Sequence, residues 1–277
     1  MESKKIRTIV SLLVTVVFAT ACSLPANSPT PEPQTTEPPT SQATAPAIEA
    51  PITSDGGMPV TGEGLCANAY YPVRQGATWS YKSAGSSAGE YSFTDTISAV
   101  REDGFTLSTQ FGDLTRTQEW ACQAEGLVAL QFGGAPAANL SAQNMEFNLE
   151  VSNVSGVTFP NEINAGDQWQ HNLDLAGNMT IAGQEGTATG NSQTSFTAVG
   201  EESVTVPAGT FNAMKIQVDT AMNMNVSYQG LTVPVAFSTT YNYWFVQGVG
   251  WVKAAGSGSA AGASFNETIE LQSYSIP

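Results

Sequence analysis

Histidine occurs once in the 277 residues, cysteine three times, and Lys and Arg together only nine times, against 24 Asp and Glu. The lone imidazole, His171, offers no second histidine with which to build a metal site, and it is the only candidate base for a Ser or Cys nucleophile. In QWQHNLD it reads as a solvent-exposed residue on a polar strand face. So few cations exclude nucleic acid and anionic lipid headgroups as partners, because both need a positive patch. No stretch keeps a helical apolar period over three turns, so the fold has no helical core to build on.

What is present begins with a processing signal. MESKKIRTIVSLLVTVVFATAC carries Lys4, Lys5 and Arg7, then an apolar run from Ile9 to Ala19 that is too short and wrongly flanked for a membrane span. The ending Ala19-Thr20-Ala21-Cys22 resembles the lipobox of bacterial lipoproteins, with Ala19 where Leu is usual. This assigns residues 1–21 to a lipoprotein signal peptide and Cys22 to acylation (palmitate or similar chains), which would anchor the chain to a membrane. The alternative is an ordinary secretory signal cut after Ala21, with Cys22 incidental. From 22 to 60 the composition is dominated by Pro, Thr, Ser, Ala and Glu, too poor in apolar surface to order, and it reads as a disordered spacer. Removing Lys4, Lys5, Arg7 and Glu2 with the signal leaves 6 basic and 23 acidic residues, a net charge of −17 in place of −15.

The body from 61 onward alternates apolar and polar residues at period two. Tyr91, Phe93, Ile97 and Ala99 share a face, as do Phe105, Leu107 and Phe111, then Met145, Phe147, Leu149 and Val151, then Met222, Met224, Val226 and Tyr228. Glu102-Asp103-Gly104, Ala124-Glu125-Gly126, Pro207-Ala208-Gly209 and Gln247-Gly248 supply hairpin turns. Pro234 places its strand at an edge or a bulge. The fold class is therefore all-β: antiparallel, strongly curved, about a dozen strands.

Two phrases recur. WACQAEGLV (120–128) and WFVQGVGWV (244–252) share Trp, Gln, Gly and Val at the same spacing, and Tyr71-Pro72 leading to Gly76 and Trp79 matches Phe159-Pro160 leading to Gly166 and Trp169. Two pseudo-repeats, 61–156 and 157–277, account for this, the second lengthened by an inserted pair of strands near 220–237. In each, the Trp of the nonapeptide is expected to cover one end of the core, with ligand binding as the lesser reading.

YYPVRQGATWSY (70–81), VTVPAGTFNAMKI (204–216) and YWFVQGVGWVK (243–253) make the chain similar to a loosely defined group of bacterial exported lipoproteins with TapB-like or uncharacterised β domains. The resemblance implies a strongly curved sheet, distantly like the half-barrels of lipoprotein carriers such as LolA. It transfers no catalytic residue.

Chemistry is sparse. Glu201-Glu202 and the pair Glu146 and Glu150 read as solvated charges, and GSGSAAGAS (256–264) as a flexible loop lacking the Lys and the helix a phosphate cradle needs. No catalytic residue, cofactor or metal is expected. Cys66 and Cys122, in an exported chain, read as a disulfide, with two buried thiols as the alternative. Met222, Met224, Tyr241, Tyr243, Trp244 and Trp251 could line a concavity for an apolar guest or simply form core. These features point to an envelope-anchored, non-catalytic binding or assembly module with a protein partner, or else to a carrier of a lipid or other hydrophobic ligand.

Overall fold

The structure, a computed structural model, describes residues 64–85, 89–131, 145–181, 184–260 and 263–277. The export signal expected at 1–21, Cys22, and the spacer to residue 60 lie outside the described residues, as do the side chains of Met145, Glu146 and Phe147. A single 3-10 turn, Gly64–Cys66, precedes thirteen strands: β1 (Thr78–Ala84), β2 (Tyr91–Arg101), β3 (Gly104–Phe111), β4 (Leu114–Gln123), β5 (Gly126–Ala129), β6 (Met145–Gly156), β7 (Phe159–Pro160), β8 (Gln168–Ile181), β9 (Gln184–Val206), β10 (Gly209–Tyr228), β11 (Leu231–Val246), β12 (Gly250–Ala260) and β13 (Ala263–Ser275). The described residues contain no α-helix.

All the strands belong to one antiparallel sheet in the order β6-β8-β9-β10-β11-β12-β13-β1-β2-β3-β4-β5-β7, curled into a half-barrel. The outermost strands, β6 and β7, are separated in the chain only by Val157 and Thr158. The Val157 amide donates to Gln170 O beside β6, while the Thr158 amide donates to Leu127 O on β5. One segment therefore hydrogen-bonds to both edges, and the sheet closes on itself at that end.

Hydrogen bonding gives the recurring Pro-to-Gly-to-Trp phrase one shared geometry. The Gly76 amide donates to Ile97 O, the Ile97 amide to Ala77 O, and the Ala77 amide to Arg74 O. The same three bonds join Gly166 to Ala198, Ala198 to Asp167, and Asp167 to Asn164. Both glycines need positive φ, 86° and 94°, to turn the chain into the strand that carries the following tryptophan. The extra length near 220–237 is not an inserted pair of strands. It is the distal half of β10 and β11, paired continuously from Met214↔Phe245 out to Tyr228↔Leu231. Lengthening an existing hairpin adds cross-strand pairs without a new strand, and beyond Phe237 it leaves β11 as an edge.

Pro234 pairs with Asn225 of β10, and β12 reaches only as far as Phe237↔Ala260, so the proline sits where β11 has a single strand neighbour. Most of GSGSAAGAS is strand rather than flexible loop, residues 261 and 262 lying outside the described residues. Gly256 to Ala260 pair with β11 and β13, and Ala263 and Ser264 begin the returning strand. Gly256 serves close approach: a Cβ there would run into the Thr240 carbonyl oxygen, as one on Gly190 would into that of Asn223.

The stretch ahead of β1 caps the closed end. Cys66 and Cys122 form a disulfide. Buried Asn68 donates from Nδ2 to Pro160 O at 2.9 Å and accepts the amides of Tyr70 and Tyr71, while Gln247 Nε2 donates to the Tyr70 hydroxyl at 3.2 Å. The cysteines are 56 residues apart, so the bridge removes about 4 kcal/mol of loop entropy from the unfolded chain. Replacing both by Ala is expected to lower the unfolding free energy by about that amount in urea titrations, with the native far-UV spectrum retained in the absence of urea.

Candidate functional site

The concave side of the half-barrel is lined by aromatics brought together from many strands. Tyr81 stacks on Trp251 at 3.8 Å and on Phe93 at 5.0 Å, and Phe93 on Phe111 at 5.0 Å. Trp120 stacks on Phe105 at 5.4 Å and on Tyr71 at 5.3 Å. Indole and phenol donors find backbone acceptors: Trp79 Nε1 donates to Val249 O at 2.5 Å and the Tyr81 hydroxyl to Trp251 O at 2.9 Å. Between Tyr71, Trp79, Tyr81, Asp95 and Trp251 lies a void of about 10 Å³, about the smallest that holds one water.

Two carboxylates face this interior. Asp95, on the same face of β2 as Phe93 and Ile97, is 8% exposed and accepts a 2.5 Å hydrogen bond from Thr109 Oγ1. Burial pushes its carboxyl up to about 7, with the Thr109 bond opposing the shift. Glu267, in phase with Ile269 and Leu271 on β13, is 5% exposed. It accepts from Ser83 Oγ at 2.6 Å, the Tyr91 hydroxyl at 2.5 Å and the Tyr241 hydroxyl at 2.9 Å. Burial, with Glu267 adding to it, raises the Tyr91 and Tyr241 phenols far above their ordinary range, so they remain protonated donors. Neither acid was singled out from the sequence. The signal was there: an acid in phase with the apolar face of a strand, where a charge is costly unless hydrogen-bonded.

The residues expected to line a concavity do not share one place. Tyr241, Tyr243 and Trp251 belong to the aromatic interior, with Tyr243 and Trp251 edge to face at 5.7 Å. Met222 and Met224, each 2% exposed, lie instead in a second cluster with Leu173, Leu175, Met179, Val226 and Phe237. Trp244 sits on the opposite face of β11 from Tyr243 and Phe245. Its Nε1 donates to Glu202 Oε1 at 2.6 Å, and Lys215 and Lys253 approach its ring at 5.3 and 6.0 Å. Trp120 is thus buried in the core as expected, whereas Trp244 is only partly buried and packs against it from the other face, Phe245 taking the inward position beside Phe159 at 4.6 Å. A register shift between Trp244 and Phe245 accompanies the difference.

His171 is likewise not exposed. It is 6% accessible and its Nε2 donates to Ala129 O at 2.9 Å, tying β8 to β5 beside the sheet closure. Burial lowers its pKa, with the backbone bond opposing, and keeps the ring neutral.

On the outside, a hollow of about 590 Å³ is lined by Val73, Arg74, Val100, Arg101, Glu102 and Pro277, among others. Arg74 Nη1 donates to Pro277 O at 3.1 Å, and Arg101 pairs with exposed Glu119 at 2.5 Å. Among the described residues, no group of three or more His, Cys, Asp and Glu is placed to hold a metal ion.

The family model described as DUF3108-like matches residues 115–275, more than half of the chain and everything from β4 to the end of β13. The chain belongs to the DUF3108-like family. No curated protein matches it. Three solved structures are similar to this DUF3108-like chain. One, from Bacteroides fragilis, is described as exported with a YmcC-like fold (14% identity, TM-score 0.43, 76% of this chain and 100% of that one). Another, from Parabacteroides distasonis, is described as a lipoprotein (14%, 0.44, 76% and 99%). The third is the lipoprotein YmcC from Escherichia coli (10%, 0.31, 72% and 85%).

The sign of the Asp95 effect follows from its raised pKa. Below the usual carboxylate range the acid is neutral in both folded and unfolded chains. As pH rises through about 7 the folded state is penalised for holding the charge. Asp95→Asn is therefore expected to gain stability over the native protein at pH 8, by about 2–4 kcal/mol, and to gain none at pH 4, read from urea midpoints at the two values. His171 acts in the opposite direction, withdrawing stability as pH falls below its unfolded value of 6.5.

Proposed function

We propose that this protein is a non-catalytic lipoprotein of the bacterial envelope, anchored outside the cytoplasm by acyl chains on Cys22 and acting as a binding or assembly module through protein contacts. The observation that carries this reading is the contrast between the two sides of the sheet. The concave side is occupied by stacked rings and two hydroxyl-satisfied acids, whereas a hollow of ligand dimensions, about 590 Å³, opens on the outside at the end where Gly64 receives the spacer. Val73 and Val100 give that hollow an apolar floor, and its charges are mixed: Arg74 and Arg101, the latter already paired with Glu119, stand beside Glu102. A segment of an envelope protein with an apolar side chain for the floor and one acidic side chain for Arg74 fits this lining.

A second reading is carriage of a lipid or other hydrophobic molecule. Its support is the methionine cluster Met179, Met222 and Met224 on the concave side of the overhang, soft side chains that repack around a guest. The two readings separate in one preparation. With a photo-crosslinking side chain at Val100, cells are expected to yield one stoichiometric protein adduct that Arg101→Glu abolishes, and native mass spectrometry of the purified protein is expected to give the mass of the acylated chain alone. No adduct at Val100 together with an additional bound lipid mass would favour carriage and overturn the first reading.

A further inference from the structure

The apolar concave face does not stop where the core stops. Along the β10–β11 hairpin the cross-strand pairs Met222↔Phe237, Met224↔Val235, Val226↔Val233 and Tyr228↔Leu231 lie on one face. Exposure climbs steeply outward on β11, from 8% at Phe237 to 55% at Val233 and 69% at Leu231, and Tyr228 beside them is 38% exposed. The other face is polar without charge: Asn223, Asn225, Ser227 and Thr232, with Ser227 Oγ and Thr232 Oγ1 2.9 Å apart. The turn is Gln229-Gly230, both left-handed at φ 49° and 79°, which matches the twist of a tight hairpin. From 220 to 252 the chain has no Asp, Glu, Lys or Arg, although the protein carries a net charge of −15.

We infer that this hairpin tip, through Tyr228, Leu231 and Val233, docks on the surface of a lipid bilayer. An uncharged ribbon with aliphatic side chains on one face, a tyrosine at its end and hydroxyls and amides on the other suits the boundary between acyl chains and headgroups. The hairpin itself brings no charge to zwitterionic headgroups, and exposed Glu185 on neighbouring β9 is in phase with Thr187, on the polar face. Antiparallel alternation puts the tip at the end of the barrel opposite Gly64, about 65 Å away along the 20 residues of β10. The 41 residues from 23 to 63 reach about 130 Å when extended, enough for the far end of the body to meet the membrane that holds Cys22. The proposal rests on the Cys22 anchor only for proximity, since a tether raises the effective concentration of a weak second contact.

The test uses the mature chain from residue 22 carrying Cys22→Ser, floated with phosphatidylcholine vesicles. The chain is expected to rise with the vesicles. Leu231→Asp and Val233→Asp are each expected to reduce the bound fraction at least tenfold, while Val199→Asp, at another exposed apolar position, leaves it unchanged. Replacing part of the phosphatidylcholine with phosphatidylglycerol is expected to weaken binding at low salt and not at high salt. Thermal melts confirm that each variant is folded. Failure of the folded Cys22→Ser chain to float, or equal flotation of Leu231→Asp, overturns the proposal. If the acylated protein floats and Cys22→Ser does not, the anchor stands and the tip fails. If Cys22→Ser floats while the natural chain carries no acyl group, the tip stands and the anchor fails. A single protein adduct from a crosslinker at Tyr228, without flotation, would assign the tip to a protein partner and also overturn the proposal.

Discussion

A thirteen-stranded sheet has two edges, and each presents a row of amides and carbonyls that must be satisfied by something. Here a single short segment meets both. Residues 145–156 pair with β8, and within four residues the same chain pairs Phe159 and Pro160 with β5. Asn68 then fastens the segment to the cap through Pro160 O, Thr158 Oγ1 accepts the Ala129 amide, and His171 reaches Ala129 O from β8. Without this closure the aromatic interior would have no wall between β5 and β8, and the cap would have nothing to seat against.

The alternation of Phe93 with Ile97 and of Phe105 with Leu107 was legible as strand because each face is either core or solvent, and a period of two records that directly. The turns were legible for the same reason, since Gly104, Gly126 and Gly209 stand where strands reverse. The facing of Trp244 was misjudged by its match to Trp120: the unbroken alternation of Tyr241, Tyr243 and Phe245 on the inner face of β11 puts the residue between them outside. His171 was misplaced through its polar neighbours. Its burial depends on Ala129, 42 residues away in the chain, and a contact of that range has no local signature. Glycine-rich 256–264 looked like loop because glycine favours loops. In the sheet its missing side chain lets β12 press against Thr240 and Tyr241.

The interior sets limits on chemistry. Asp95 and Glu267 are acids in an aromatic environment, and each is held by hydroxyl donors from neighbouring strands. Three donors on Glu267 satisfy a buried carboxylate that would otherwise destabilise the sheet. The same donors restrict the phenols of Tyr91 and Tyr241 to one orientation, so the acid organises the packing around it. Two accessible features lie away from that interior: the hollow near Arg74 and Arg101 at the closed end, and the uncharged overhang of β10 and β11 at the open one. The long strands of the second half, 23 residues in β9 and 20 in β10, separate those two surfaces.

Native-state hydrogen exchange at individual amides tests the closure most directly. The amides of Val157 and Thr158 bond to opposite edges of the sheet, so both are expected to exchange only through global unfolding, with the same protection as the Ile97 and Ala198 amides of the two corners. Fast exchange at Val157 and Thr158 while Ile97 and Ala198 stay protected would mean that the edges are not joined, and it would contradict the account of the fold.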